Sequence, residues 1–234
     1  MARGSAAWVL VLISRRRAGA EARIASAIMS RTHALSHPRQ PLLADVLVPR
    51  GAANPWLRDI LLILGCTGIV AASARLSIPL PFTPVPITGQ TFGVLLTGAL
   101  LGSRRGALAM LLYLAEGAGG LPVFAGGTAG IGRILGPTGG YLLSYPFAAG
   151  LVGWLAERGW DRRPLTMLAA MFLANLVIFG IGAAWLSRFV GGLVPAFVQG
   201  VLPFLPGDAV KALLAAGLLP GAWALTGRRR GPGP

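Results

Sequence analysis

From Trp56 onward the chain is a succession of apolar stretches, each closed by a short break that carries Arg, or Pro and Gly. A run of about 20 apolar residues matches the hydrocarbon core of a bilayer. In lipid such a run must satisfy its backbone groups internally, so each stretch is expected to be a helix. The stretches fall roughly at 57–76, 88–102, 106–120, 138–157, 164–189 and 206–226. The second and third are short and divided only by Ser103, Arg104 and Arg105, which predicts a tight helical hairpin whose spans are tilted or covered by neighbours. Only 12% of the residues are charged, about half the share of an average soluble domain and too few to cover a water-soluble surface. The expected fold is an all-α integral membrane protein of six transmembrane helices with structured outer loops.

Three regions follow: an arm over 1–41, a membrane domain over 42–227 and a basic tail over 228–234. The arm is rich in Arg, Ala, Ser and Pro, and its apolar piece at 6–13 is too short to span a bilayer. Arg15, Arg16 and Arg17 come after that piece, the reverse of a secretory signal. The arm is expected to be disordered, or an over-extended start with Met29 as an alternative beginning.

A net charge of +14 would raise nucleic acid as a partner, but the arginines lie in the arm, in the breaks and in the tail. That distribution fits loops facing an anionic leaflet, with membrane lipid as the partner and no nucleic acid. With a cytoplasmic N-terminus, the inner breaks hold Arg50, Arg58, Arg104, Arg105, Arg158, Arg162, Arg163 and Arg228 to Arg230, and the outer breaks hold only Arg75, Arg133 and Arg188. Both termini are therefore expected on the cytoplasmic side. The single cysteine, Cys66, lies in an apolar run and is read as a small core residue.

With charge so scarce, each polar residue at membrane depth is informative. Asp208 and Lys211, the only lysine in the chain, stand three residues apart and share a helix face. Pro206 suits a helix start, where the Asp208 carboxylate can also cap free N–H groups. The pair either caps a helix and snorkels to the interface, or faces a cavity and binds a polar, zwitterionic or acidic ligand. Glu116, near the outer end of the third stretch, either sits at headgroup level, accepts hydrogen bonds from a ligand or orders the glycine loop after it. Gln90 opens the second stretch, and Asn175, in the middle of the fifth, reads as an interhelical hydrogen-bond former.

The segment 117–140 is glycine-rich, with Thr128, Pro122 and Pro137 in it. Its backbone is too polar to meet lipid, so it must cover protein or line a wet pocket, as a gating loop. A phosphate cradle is excluded by the missing G-x-x-x-x-G-K-[ST] pattern. The break at 77–90 holds four prolines and predicts a semi-rigid cap. Gly68 and Ala72, with Ala71 beside them, make a small-residue face on the first span for another helix, internal or from a partner. No catalytic motif and no metal-ligand pattern occurs, and both histidines, His33 and His37, lie in the arm.

The runs Ile78-Pro-Leu-Pro-Phe-Thr-Pro-Val-Pro-Ile-Thr-Gly-Gln-Thr91, Leu100-Leu-Gly-Ser-Arg-Arg-Gly106, Gly120-Leu-Pro-Val-Phe-Ala-Gly-Gly127, Gly136-Pro-Thr-Gly-Gly-Tyr141 and Pro206-Gly-Asp-Ala-Val-Lys211 together resemble the BioY biotin-transport family. Its members are substrate-binding S components of energy-coupling factor (ECF) transporters. The resemblance covers about residues 42–226. It implies biotin captured from outside, no cofactor, and a transmembrane coupling protein with two ATPase subunits that use the ATP. It also implies ligand roles for Asp208 and Lys211, with Tyr141 packing on the ligand. Some relatives carry an Arg directly after the Gly-Gly of the outer loop. Here that position is Thr128, and Arg133 comes five residues later, so which group joins Lys211 at the ligand carboxylate stays open.

The expected function is high-affinity biotin binding and uptake by a non-enzymatic, multi-pass subunit of the bacterial cytoplasmic membrane. The ligand is expected to meet Asp208, Lys211, Glu116, Tyr141, Gln90, Thr128 and Arg133, with Lys211 on the carboxylate and Asp208 on the ureido N–H groups. Gly68, Ala71 and Ala72 are expected to meet the coupling protein. A stand-alone secondary transporter is the alternative, although no internal repeat supports it. An enzyme would need more than one acid-lysine pair.

Overall fold

A computed structural model of the chain describes residues 40–48 and 54–227. The expectations for the arm, for Arg50 and for the tail arginines concern residues outside this range. A short helix α1 (Leu43–Leu47) precedes α2 (Pro55–Arg75), which starts where Asn54 accepts the Trp56 N–H and Pro55 fills a first-turn position that needs no donor. Strands β1 (Ser77–Leu80) and β2 (Thr83–Thr88) follow, then α3 (Gln90–Ala118), α4 (Ile131–Leu135), α5 (Gly139–Ala156), α6 (Pro164–Val190), α7 (Leu193–Gly200) and α8 (Leu205–Leu225).

The helix α3 is a hairpin. Gly102 breaks it with φ 83° and ψ −178°, a conformation open to glycine. Gln90 and Tyr113 would stand about 35 Å apart on a straight helix, yet the Gln90 amide donates to the Tyr113 hydroxyl at 2.5 Å. The chain therefore doubles back at Gly102, and Glu157 secures the reversal by accepting from the N–H (2.9 Å) and the hydroxyl (2.7 Å) of Ser103. The short stretches expected on either side of Ser103 are its two arms. The helix α5, most of whose residues are buried, packs between this hairpin and α6.

One expectation is corrected. The fold is mostly helical but not all-α, because the proline-rich break pairs as an antiparallel hairpin, with Ser77 opposite Thr88, Ile78 opposite Ile87 and an irregularity before Leu80 opposite Thr83. Both strands of a two-stranded sheet are edges, where proline's missing N–H goes unmissed. The count of six membrane helices is not confirmed. More helices than six are present, and four helical stretches are long and apolar enough to cross a bilayer: Pro55–Arg75, Gln90–Ala118, Pro164–Val190 and Leu193–Leu225. The α3 hairpin enters as one stretch, and α5, with Ser144, Pro146 and four glycines, is not among the four.

Arginines expected to face the leaflet are partly used inside the protein. Arg58 is 4% exposed and donates to Asp45 (2.7 Å), Asp59 (3.2 Å) and the Val48 carbonyl (2.6 Å). Arg105 grips both carboxylate oxygens of Asp45 at 3.0 Å and reaches Asp59 at 3.0 Å. Burial alone would raise the Asp45 pKa, but the two guanidinium groups outweigh it and hold the carboxyl below its usual 3.8. This network ties α1 to α2 and to the returning arm of α3.

Candidate functional site

The first two turns of α8 carry the pair singled out in the sequence. Lys211 Nζ donates to Asp208 Oδ1 at 2.8 Å and to Thr91 Oγ1 at 2.8 Å, and the Thr91 hydroxyl donates to the same Asp208 oxygen at 3.4 Å. Asp208 is 5% exposed, and its other oxygen, Oδ2, is buried with no donor among the described residues. The carboxylate does not cap the helix; its bonds go to Lys211 and Thr91 instead. Thr91 carries no charge and opens an apolar helix, so nothing in its sequence context marked it as a member of this group.

Above the triad lies a cavity that, together with its open mouth, encloses about 730 Å³ of empty space. Val85, Pro86 and Thr88 of β2 and the loop residues Phe124, Ala125 and Thr128 contribute to its lining, as do Tyr141 and Tyr145 of α5, Phe179 of α6, and Asp208 with Lys211. Phe124 is locked in place edge-on to Tyr113, with ring centroids 5.6 Å apart. It fills the space over Gly117, where any side chain would collide with the Phe124 ring. The glycine-rich loop thus covers protein and lines the cavity.

Of the residues expected at a ligand, Gln90, Thr128, Arg133, Tyr141, Asp208 and Lys211 all line this cavity. Gln90 is also a strut: the Tyr113 hydroxyl that accepts from it donates to the Val123 carbonyl at 2.7 Å. The Tyr141 hydroxyl donates to the Gly200 carbonyl at 2.8 Å, fixing its ring against the cavity. Thr128 turns its hydroxyl to the Ala125 carbonyl at 3.0 Å. Arg133 is exposed, lines both the cavity and a vestibule with Pro84 and Pro137, and has no ion-pair partner among the described residues. Glu116 is the exception. It lies outside the cavity and accepts from Thr67 Oγ1 at 3.2 Å, joining α2 to the returning arm of α3.

On α2, Gly68 and Ala72 are exposed, and a Cβ on Gly68 would meet open space; Ala71 is half-buried against the core. No group of three His, Cys, Asp or Glu that could hold a metal occurs among the described residues.

Four of the five runs singled out in the sequence contribute to this one cavity, and the BioY family model matches residues 41–228. The chain belongs to the BioY family. A probable biotin transporter BioY of Pyrococcus horikoshii is 43% identical over 158 residues, covering 68% of this chain and 91% of that one. The biotin transporter BioY of Rhizobium etli is 40% identical over 168 residues, covering 68% of this chain and 89% of its own length. A crystal structure of the S-component for biotin from an ECF-type ABC transporter superposes with a TM-score of 0.64 at 27% identity, covering 77% of this chain and 96% of that chain. The BioY family is one of transporters and not of enzymes. With its apolar helices, this BioY chain is a multi-pass membrane protein.

Proposed function

We propose that the chain captures biotin from outside and serves as the substrate-specific subunit of an ECF transporter, energised by ATPases on partner subunits. The observation that carries this reading is the Asp208–Lys211–Thr91 triad with its free, buried Asp208 Oδ2, at one end of an otherwise largely apolar cavity. Biotin is an apolar bicycle and alkyl chain with a ureido group at one end and a carboxylate at the other. A ureido group offers two N–H donors and a carbonyl acceptor. Asp208 Oδ2 accepts one of those N–H groups, and the third ammonium hydrogen of Lys211 is free for the carbonyl.

The ion pair revises one assignment. Lys211 and Asp208 touch each other, so they form a single anchor and cannot hold opposite ends of an extended biotin. The carboxylate, better solvated at the mouth, falls to Arg133. Arg133→Met is expected to weaken biotin by about tenfold and to leave its amide, biotinamide, nearly unaffected, since a charge-assisted bond contributes about 1.5 kcal/mol or more. Titration of both ligands into the two proteins checks this; equal losses for both would return the carboxylate to Lys211.

In this reading the membrane is the bacterial cytoplasmic membrane, both termini are cytoplasmic, and the six spans are α2, the two arms of α3, α5, α6 and α8. Gly68 and Ala72, open on the surface of α2, meet the coupling protein. Uptake of labelled biotin by cells lacking their own importer tests the function when the chain is produced with its energising module. Gly68→Leu should cut uptake at least tenfold while biotin binding by the isolated chain stays unchanged. No uptake above background by the unaltered chain would overturn the reading.

A further inference from the structure

The chain has three tyrosines, and all of them are buried. A buried phenol ordinarily places its hydroxyl on a partner, because a stranded O–H forfeits the bonds it had with water. Two of the three do so. The Tyr113 hydroxyl accepts from Gln90 and donates to the Val123 carbonyl, and the Tyr141 hydroxyl donates to the Gly200 carbonyl. The Tyr145 hydroxyl has no hydrogen-bond partner among the described residues, although the residue is only 3% exposed.

Tyr145 is also part of the wall of the ligand cavity. It follows Tyr141 by four residues on α5, so the two rings share a helix face, and it stands close enough to Asp208 to interact with its charge. Packing accounts for the ring, which belongs to the same apolar core as Tyr113 and Tyr141. A phenylalanine would pack there equally well. The hydroxyl adds no bond to the fold, so its partner must come from what enters the cavity.

The balance of donors and acceptors decides which ligand group that is. On the functional reading above, on which this inference rests, Asp208 Oδ2 accepts one ureido N–H and Lys211 donates to the ureido carbonyl. A Tyr145 hydroxyl that only accepted the second N–H would still hold a proton with no acceptor, since Asp208 Oδ1 already takes Lys211 and Thr91. The carbonyl oxygen has two lone pairs, and Lys211 fills one of them. We propose that Tyr145 is a specificity-determining residue whose hydroxyl donates to the second lone pair of the ureido oxygen. Two donors on that oxygen, with a carboxylate at the N–H, draw the ureido electrons toward oxygen. The site therefore selects a neutral cyclic urea and rejects a cyclic guanidinium, which would turn a hydrogen toward Tyr145 and a positive charge toward Lys211.

The test compares the full chain with its Tyr145→Phe variant, both in detergent, using biotin and 2-iminobiotin. The second ligand carries nitrogen in place of the ureido oxygen and at neutral pH is a guanidinium with no acceptor there. Tyr145→Phe should bind biotin about three- to tenfold more weakly, the loss of one hydrogen bond from a site closed to water, and should bind 2-iminobiotin no less well than the unaltered chain does. The preference for biotin over 2-iminobiotin then narrows by that factor or more. Without ligand the variant should be as heat-stable as the unaltered chain or more so, because the hydroxyl it lacks had no partner in the protein. Unchanged biotin affinity, an equal loss for both ligands, or a loss of heat stability in the unliganded variant would each overturn the proposal. An unaltered chain that bound no biotin would bring down the functional reading and this inference together. Biotin held as tightly by Tyr145→Phe as by the unaltered chain would bring down this inference alone.

Discussion

Lys211→Ala is expected to weaken biotin binding by roughly ten- to a hundredfold and to destabilise the chain in detergent by about 3 kcal/mol. The affinity loss is that of one charge-assisted hydrogen bond in a partly dry site. The stability loss has a separate origin. Asp208 is almost wholly buried and its bonded oxygen depends on Lys211 and Thr91, so removing the ammonium strands a carboxylate at membrane depth. Lys211→Met combined with Asp208→Asn removes both charges together and should restore the fold while leaving binding weak. Thermal unfolding alongside biotin titration separates the two effects. A double variant as unstable as Lys211→Ala would show that the pair is needed for folding in itself.

The pH dependence of stability is expected to carry the signature of Asp161, in the turn between α5 and α6. This residue is 1% exposed and accepts the Trp223 indole N–H at 2.6 Å. Burial pushes its carboxyl up to about 6, against the opposing pull of the Trp223 bond and the Arg162 charge. An acid raised above its unfolded value of 3.8 holds its proton in the folded state where the unfolded chain has released it. Stability is thus lost as pH rises from about 4 to about 6 and levels off above, by up to about 3 kcal/mol for a shift of two units. Asp161→Asn keeps an acceptor for Trp223 and should remove this slope, making the variant the more stable protein at pH 7.5. Unfolding curves for the two proteins that stay parallel from pH 4.5 to 7.5 would contradict this.

Much of the site was legible because charge is scarce. One lysine three residues from one aspartate, at the start of an apolar stretch, could be read without knowing what lay opposite, and the structure closes that pair at 2.8 Å. Scarcity misled at Glu116, where a carboxylate near membrane depth suggested a ligand and its partner proved to be Thr67, 49 residues away. Arg58 and Arg105 were read by location alone, whereas their carboxylate partners depend on how α1 folds back. The β-hairpin was illegible because four prolines argue against a strand unless it has no inner neighbour. The reversal in α3 was sensed from Arg104 and Arg105, but the residue that makes it is Gly102, whose positive φ has no signature beyond glycine itself. Thr91 and the bond that Asn175 Oδ1 leaves unmet among the described residues depend on geometry between distant helices, which spacing along one helix does not encode.

The central claim is that the cavity over Asp208 and Lys211 is a biotin site. Equilibrium binding of radiolabelled biotin to the purified chain in detergent tests it most directly, with excess thiamine and riboflavin as competitors. Saturable binding at one biotin per chain, displaced by unlabelled biotin, untouched by the other two vitamins and weakened at least tenfold by Lys211→Met, is the result predicted here. No saturable binding by the folded chain, or binding indifferent to Lys211→Met, would contradict it.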